Sequence, residues 1–235
     1  MRYLPRSLAL ATALALSTTL APVAAHAQQA KGLGDWSVVG TEVNTGKPFE
    51  DVQAGWPNVN FGYTFNLGKT SDIGLRFGLL YGVEGTTSTQ FGIGLWAPIR
   101  FQLSRSEKFN LIFHVDPGVR LYFAGSTCVA GTDICANTSK TQFGFTFPVG
   151  VVGGFPVGHN LEIGGGLDLN LALAVTSPVN FVIGPWAGPY VEYHFDNPNI
   201  AIGLNTRFGV MIPTASGSST SFAFLVQAFA GYRLF

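Results

Sequence analysis

His114 and Asp116 stand two residues apart, as do Asp168 and Asn170, Glu192 and His194, and Asn205 and Arg207. In an extended strand such residues share one face, so each pair points the same way. A histidine beside a carboxylate is the arrangement of a general base and the group that orients it. No serine accompanies His114 on its segment, and two separated histidines among few acids do not make a metal site. No catalytic residue, metal or other cofactor is therefore assigned. Arg76, Arg100 and Arg120 fall on the same alternating face as these groups. Charges of both signs facing one confined space pair with each other. They either plug that space or line a polar path whose mixed charge gives a small solute weak selectivity. Cys128 and Cys135 are the only cysteines, seven apart in a Gly/Ser/Thr loop. That spacing suits neither a redox CxxC nor a zinc knuckle, and in an oxidising compartment it is expected to close a disulfide.

The elements that must position these groups are strands. From Phe109 to Phe155, apolar residues occupy alternate positions: Phe109, Leu111, Phe113, Val115, Val119, Leu121 and Phe123, then Phe143, Phe145, Phe147, Val149, Val151 and Phe155. The intervening positions are small, polar or charged. Period two over about fifteen residues exceeds the roughly five or six of an ordinary strand. The contrast between faces fits an apolar side against lipid and a polar side lining a lumen. Only 11% of residues are charged, against roughly 25% in ordinary soluble domains. With 30 Gly and 20 Phe and no basic excess, the chain reads as one all-β domain without a nucleic-acid partner.

The same dyad marks eight further segments, near 33–43 (weakly), 56–67, 73–83, 91–103, 161–175, 181–195, 200–212 and 222–234. Ten antiparallel strands are expected, or eight if the first two segments reorganise. Outer loops then fall at 44–54, 84–89, 124–140, 176–180 and 214–220, and short turns at 68–72, 104–108, 156–160 and 196–199. Tyr81, Phe91, Phe123, Phe143, Phe181 and Phe222 sort to the loop ends, and Phe101, Phe109, Phe155, Tyr193, Phe195 and Tyr232 to the turn ends, as two aromatic belts. Pro98, Pro117, Pro148 and Pro189 lie inside strands at similar heights, where a band of bulges or kinks is expected. Inward glycines such as Gly78, Gly94 and Gly166 leave space or ease curvature, and Trp96, Tyr122 and Trp186 point inward to fill it.

Arg2 and Arg6, the apolar run Leu8 to Leu20, and Ala25-His26-Ala27 make residues 1–27 a cleaved signal peptide, leaving 28–235 as the mature domain. Losing two arginines gives the mature chain a small acidic excess. With its leader, its dyad strands and the ending Gly231-Tyr232-Arg233-Leu234-Phe235, the chain resembles the small bacterial outer-membrane β-barrels. The resemblance implies a transmembrane antiparallel up-and-down β-barrel in the outer membrane, monomeric, in contact with outer-membrane lipid and inserted by the barrel assembly machinery. Its implied role is a narrow, porin-like passive pore for transport of small solutes. The alternative is a closed structural or adhesive barrel presenting the disulfide-tied outer loop. An outer-membrane hydrolase comes third, since such enzymes work near the outer rim and neither histidine pair lies there.

Overall fold

The computed structural model describes residues 36–83, 88–129, 135–138, 141–175, 179–195, 199–214 and 219–234. The expected signal peptide and its cleavage site lie outside them, as do Phe235 and the side chains of Cys128 and Cys135.

Ten strands pair in chain order and close on themselves. They are β1 (Phe49–Trp56), β2 (Asn58–Asn66), β3 (Ser71–Gly82), β4 (Ser88–Trp96 continued by Ile99–Ser104) and β5 (Asn110–Val115, Gly118–Tyr122 and Gly125–Val129). Then follow β6 (Cys135–Thr138, Gln142–Thr146 and Val149–Val157), β7 (Leu161–Val175), β8 (Asn180–His194), β9 (Ile200–Pro213) and β10 (Ser221–Arg233). Closure runs through β1 and β10, with Asp51 opposite Gly231 on one side and Gly62 on the other. A closed barrel has no strand edge, so its backbone hydrogen bonds are met without water.

The residue distribution is inside out. Outward positions leave Phe61, Leu75, Phe91, Phe145, Leu167 and Phe222 exposed, while Asp51, Asp72, Arg100, Asn170, Glu192 and Arg207 are buried inside. Aromatic rings meet around both ends: Phe91 with Phe123 and Trp56 with Tyr81 near the loops, Phe109 with Phe155 and Tyr193 with Phe195 near the turns. These contacts follow the two expected belts.

One expected strand is not there. Residues 36–48 form no strand, and most of 36–44 is buried inside the barrel at its turn end. The first strand is Phe49–Trp56, placed by sequence pattern in an outer loop, and only Pro57 separates it from β2. The reason is chemical. Trp36, Val38 and Val39 give a weak strand pattern, yet backbone groups of this segment bond to side chains of the barrel wall. In β1 the inward face carries Asp51 and Gln53, and the outward face carries Glu50, Val52 and Ala54. That face has too little apolar contrast to register as a dyad.

The prolines also behave differently from the expectation of bulges. Pro98, Pro117 and Pro148 interrupt single bonds while the register runs through each unbroken. Their carbonyls still accept from Gly74 N (2.7 Å), Ala97 N (2.8 Å) and Asp116 N (2.9 Å). Pro189 sits in register opposite Gly165. Each proline withholds one donor without shifting its strand. The register of β10 against β9 is likewise continuous from Ile200–Tyr232 to Met211–Ser221.

Candidate functional site

The floor of the lumen is built first by two carboxylates. Glu192 on β8 accepts from the backbone N–H of Val38 (2.9 Å), Val39 (3.0 Å) and Gly40 (2.9 Å), and lies 2.8 Å from His194 Nε2. Glu162 on β7 accepts from Thr41 N and Thr41 Oγ1, both at 2.9 Å, and from the Tyr190 hydroxyl. Both carboxylates are fully buried. The segment thus crosses the lumen with its N–H groups turned onto two anions, which exchange water for fixed donors. A Cβ on Gly40 would run into both carboxylates, so only glycine lets the backbone approach this closely.

Beyond Gly40 the segment is anchored on the other wall. Asp72 accepts from Asn44 N at 2.6 Å and holds Arg100 by a two-pronged contact of 2.9 and 2.6 Å. Arg100 donates in turn to the Ser37 carbonyl at 3.0 Å. Gln102 accepts from Val43 N and donates to the Thr41 carbonyl. Glu42 accepts from Asn110 and pairs with Arg105. Apolar contacts fill the gaps: Trp36 and Val38 with Phe49 and Phe229, and Val43 with Ile112, Val152 and Tyr190.

Above this floor lies a cavity of about 190 Å³. Its central charges form one chain of contacts. His114 Nδ1 lies 3.0 Å from Asp116 and Nε2 lies 2.8 Å from Asp168, and Arg207 Nε donates to Asp168 at 2.7 Å. Both ring nitrogens of His114 face carboxylate oxygens, which only accept, so both hold protons in these bonds. Imidazolium and guanidinium then balance two carboxylates. Arg76 pairs with Asp51 at 3.3 Å, and Arg120 lies over the Trp96 ring at 5.7 Å.

Nine of the eleven lumen residues singled out in the sequence line this cavity: Arg76, Arg100, His114, Asp116, Arg120, Asp168, Asn170, Asn205 and Arg207. Glu192 and His194 lie below it, in the floor, where His194 packs edge-on against Trp36. Asp51, Gln53 and Asp72 were missed because they fell in segments read as loop or turn. The alternation of Asp51 and Gln53 was the available signal. The inward glycines are filled. A Cβ at Gly78, Gly94 or Gly118 would lie closer than 3.0 Å to the Trp96 ring, and one at Gly166 would meet the Arg207 guanidinium. Large side chains lie flat on the wall where the sequence has glycine.

Chemically, the arrangement holds charge in place. Among the described residues no hydroxyl or thiol is hydrogen-bonded to His114, and no group of three or more His, Cys, Asp or Glu could hold a metal. Cys128 and Cys135 stand opposite each other in the backbone register of a hairpin that extends β5 and β6.

No family model matches the chain, and no curated protein matches it. Among solved structures it is similar to the outer membrane protease OmpT from Escherichia coli, at 8% identity and a TM-score of 0.40, over 80% of this chain and 93% of that one. Likeness of that degree carries no inference about activity.

Proposed function

We propose that the chain is an integral barrel of the bacterial outer membrane whose lumen is a narrow passive route for small solutes, held shut at the periplasmic end by residues 36–44. The observation behind this reading is the seating of that segment on Glu162 and Glu192 beneath a polar cavity of mixed charge. An apolar exterior supplies the lipid contact, and neutralised charge in the lumen leaves weak ion selectivity. Loss of the segment's anchors opens the route.

Single-channel recording in a planar bilayer tests this. The refolded mature chain is expected to stay closed for most of the record. The variant Glu162→Gln/Glu192→Gln should conduct in discrete steps for a larger fraction of time. A double variant that folds, runs as a heat-modifiable barrel and still never conducts rules the pore out.

The filled floor also supports a second reading. A barrel shut for good leaves its outer end as the working surface, and the hairpin Gly125–Val129 with Cys135–Thr138 extends the wall there. Adhesion by that loop would be lost on deleting residues 125–140, with the barrel intact.

A further inference from the structure

Four buried amides stand together on one wall of the cavity, on β10, β1 and β2: Gln227, Gln53, Asn58 and Asn60. They satisfy each other only in part. Gln227 Nε2 and Asn60 Nδ2 both donate to Asn58 Oδ1, and Gln53 Nε2 donates to Asp51. Asn60 Oδ1 is buried with no donor. The amide oxygens of Gln53 and Gln227 and the amide nitrogen of Asn58 enter no hydrogen bond among the described residues. Two amide oxygens, on Gln53 and Gln227, and the two N–H donors of Asn58 are therefore left for whatever fills the cavity, all neutral, with the unmet Asn60 Oδ1 packed just behind them. Buried amides elsewhere in proteins are paired, so a set left open in one place asks for a partner.

The neighbouring charges narrow the choice. Asp51 is already paired with Arg76, Asp72 with Arg100, and Asp168 with Arg207 and His114. An ion that took one of these charges for itself would break a pair and leave the other member uncompensated. A hydroxyl breaks none, and it both donates and accepts, which matches an amide wall. The space of 190 Å³ is the volume of about six waters at roughly 30 Å³ each in the liquid. That is on the order of the bulk of one monosaccharide. Trp186 lines the same cavity, its indole Nε1 buried against the wall without a partner.

We infer that the cavity is a binding site for a neutral polyhydroxylated solute of monosaccharide size, held by the amides of Gln53, Asn58, Asn60 and Gln227. The inference deepens the reading of the lumen as a solute route and rests on the cavity being reachable by solute.

The test is calorimetric titration of the refolded mature chain with glucose, in a zwitterionic detergent free of sugar headgroups. Glycine betaine, a zwitterion that carries both charges and no hydroxyl, serves as the control solute. Saturable glucose binding is expected, with little or none for betaine. Asn60→Ala and Gln227→Ala should each weaken it about tenfold, the loss of one hydrogen-bonding partner. Both variants should remain heat-modifiable barrels, and Trp186→Phe, which keeps an aromatic side chain and removes the N–H, guards against a misfolded amide variant. No glucose binding in a folded barrel, tighter binding of betaine, or glucose binding unchanged in all three variants overturns the inference. Binding is read without current. A barrel that binds glucose but never conducts loses only the pore reading. One that conducts and ignores glucose loses only this one.

Discussion

Glu192 has no exposed surface, yet it meets three backbone N–H groups and a histidine. Removing the carboxylate leaves those donors buried without acceptors. In Glu192→Ala the docking of residues 36–44 should weaken by about 3 kcal/mol or more. Limited proteolysis checks this: new cleavage between residues 36 and 48 is expected, with the barrel core uncut. A wild-type digestion pattern would mean that the segment is held by its apolar contacts instead. The central network makes a second prediction. Asp168 serves both His114 and Arg207, so Asp168→Asn leaves two cations with one carboxylate and should cost about 3 kcal/mol. Arg207→Gln added to it should recover part of that loss, because the second change removes a charge already unpaired. Urea unfolding of the four members of this cycle gives the coupling. These residues were legible in the sequence because an inward residue is fixed by parity alone. Their partners were not, since Glu192 meets its N–H groups 152 to 154 positions away.

At the scale of the element, the period of two identified nine of the ten strands. It failed at β1, whose outward Glu50 and Ala54 blur the contrast between faces, and it credited residues 33–43 with a strand that the described part, 36–43, does not form. The pattern reports which side of a segment is apolar, and a segment inside the lumen has no lipid side. The prolines were overweighted for a related reason. Pro117 faces Ala97 across the ladder, and Pro117→Ala would restore a missing donor worth about 1 kcal/mol. It would also free the unfolded chain, at a cost of about 0.4–1 kcal/mol. The two nearly cancel, so the unfolding midpoint should stay close to wild type. The glycines are where the wall is intolerant. Gly94→Val drives side-chain atoms into the Trp96 ring, and overpacking of that kind costs about 1–3 kcal/mol. A midpoint that falls in Pro117→Ala and holds in Gly94→Val would reverse this account of what fixes the strands.

At the scale of the whole molecule, barrel and inner segment have different sources of stability. The barrel closes through eight paired positions between β1 and β10, none of which involves residues 36–48. The segment depends on side chains that only the closed barrel brings together. Deleting residues 36–44 should therefore leave a heat-modifiable barrel and remove the floor, baring Glu162, Glu192 and Asp72 to the lumen. In the intact protein Asp72 is matched by Arg100 and Asp168 by Arg207, so the path is close to neutral. Without the segment two glutamates gain access to water at the narrow end, and cations should pass in preference to anions. The preference should weaken as salt is raised, because the Debye length falls from about 10 Å at 0.1 M to about 3 Å at 1 M. Reversal potentials across a salt gradient measure it, and Glu162→Gln/Glu192→Gln in the deleted chain should abolish it. Anion preference in the deleted chain would place the controlling charge on Arg76, Arg120 and Arg207 higher in the lumen, and the floor would then be a seal without a part in selectivity.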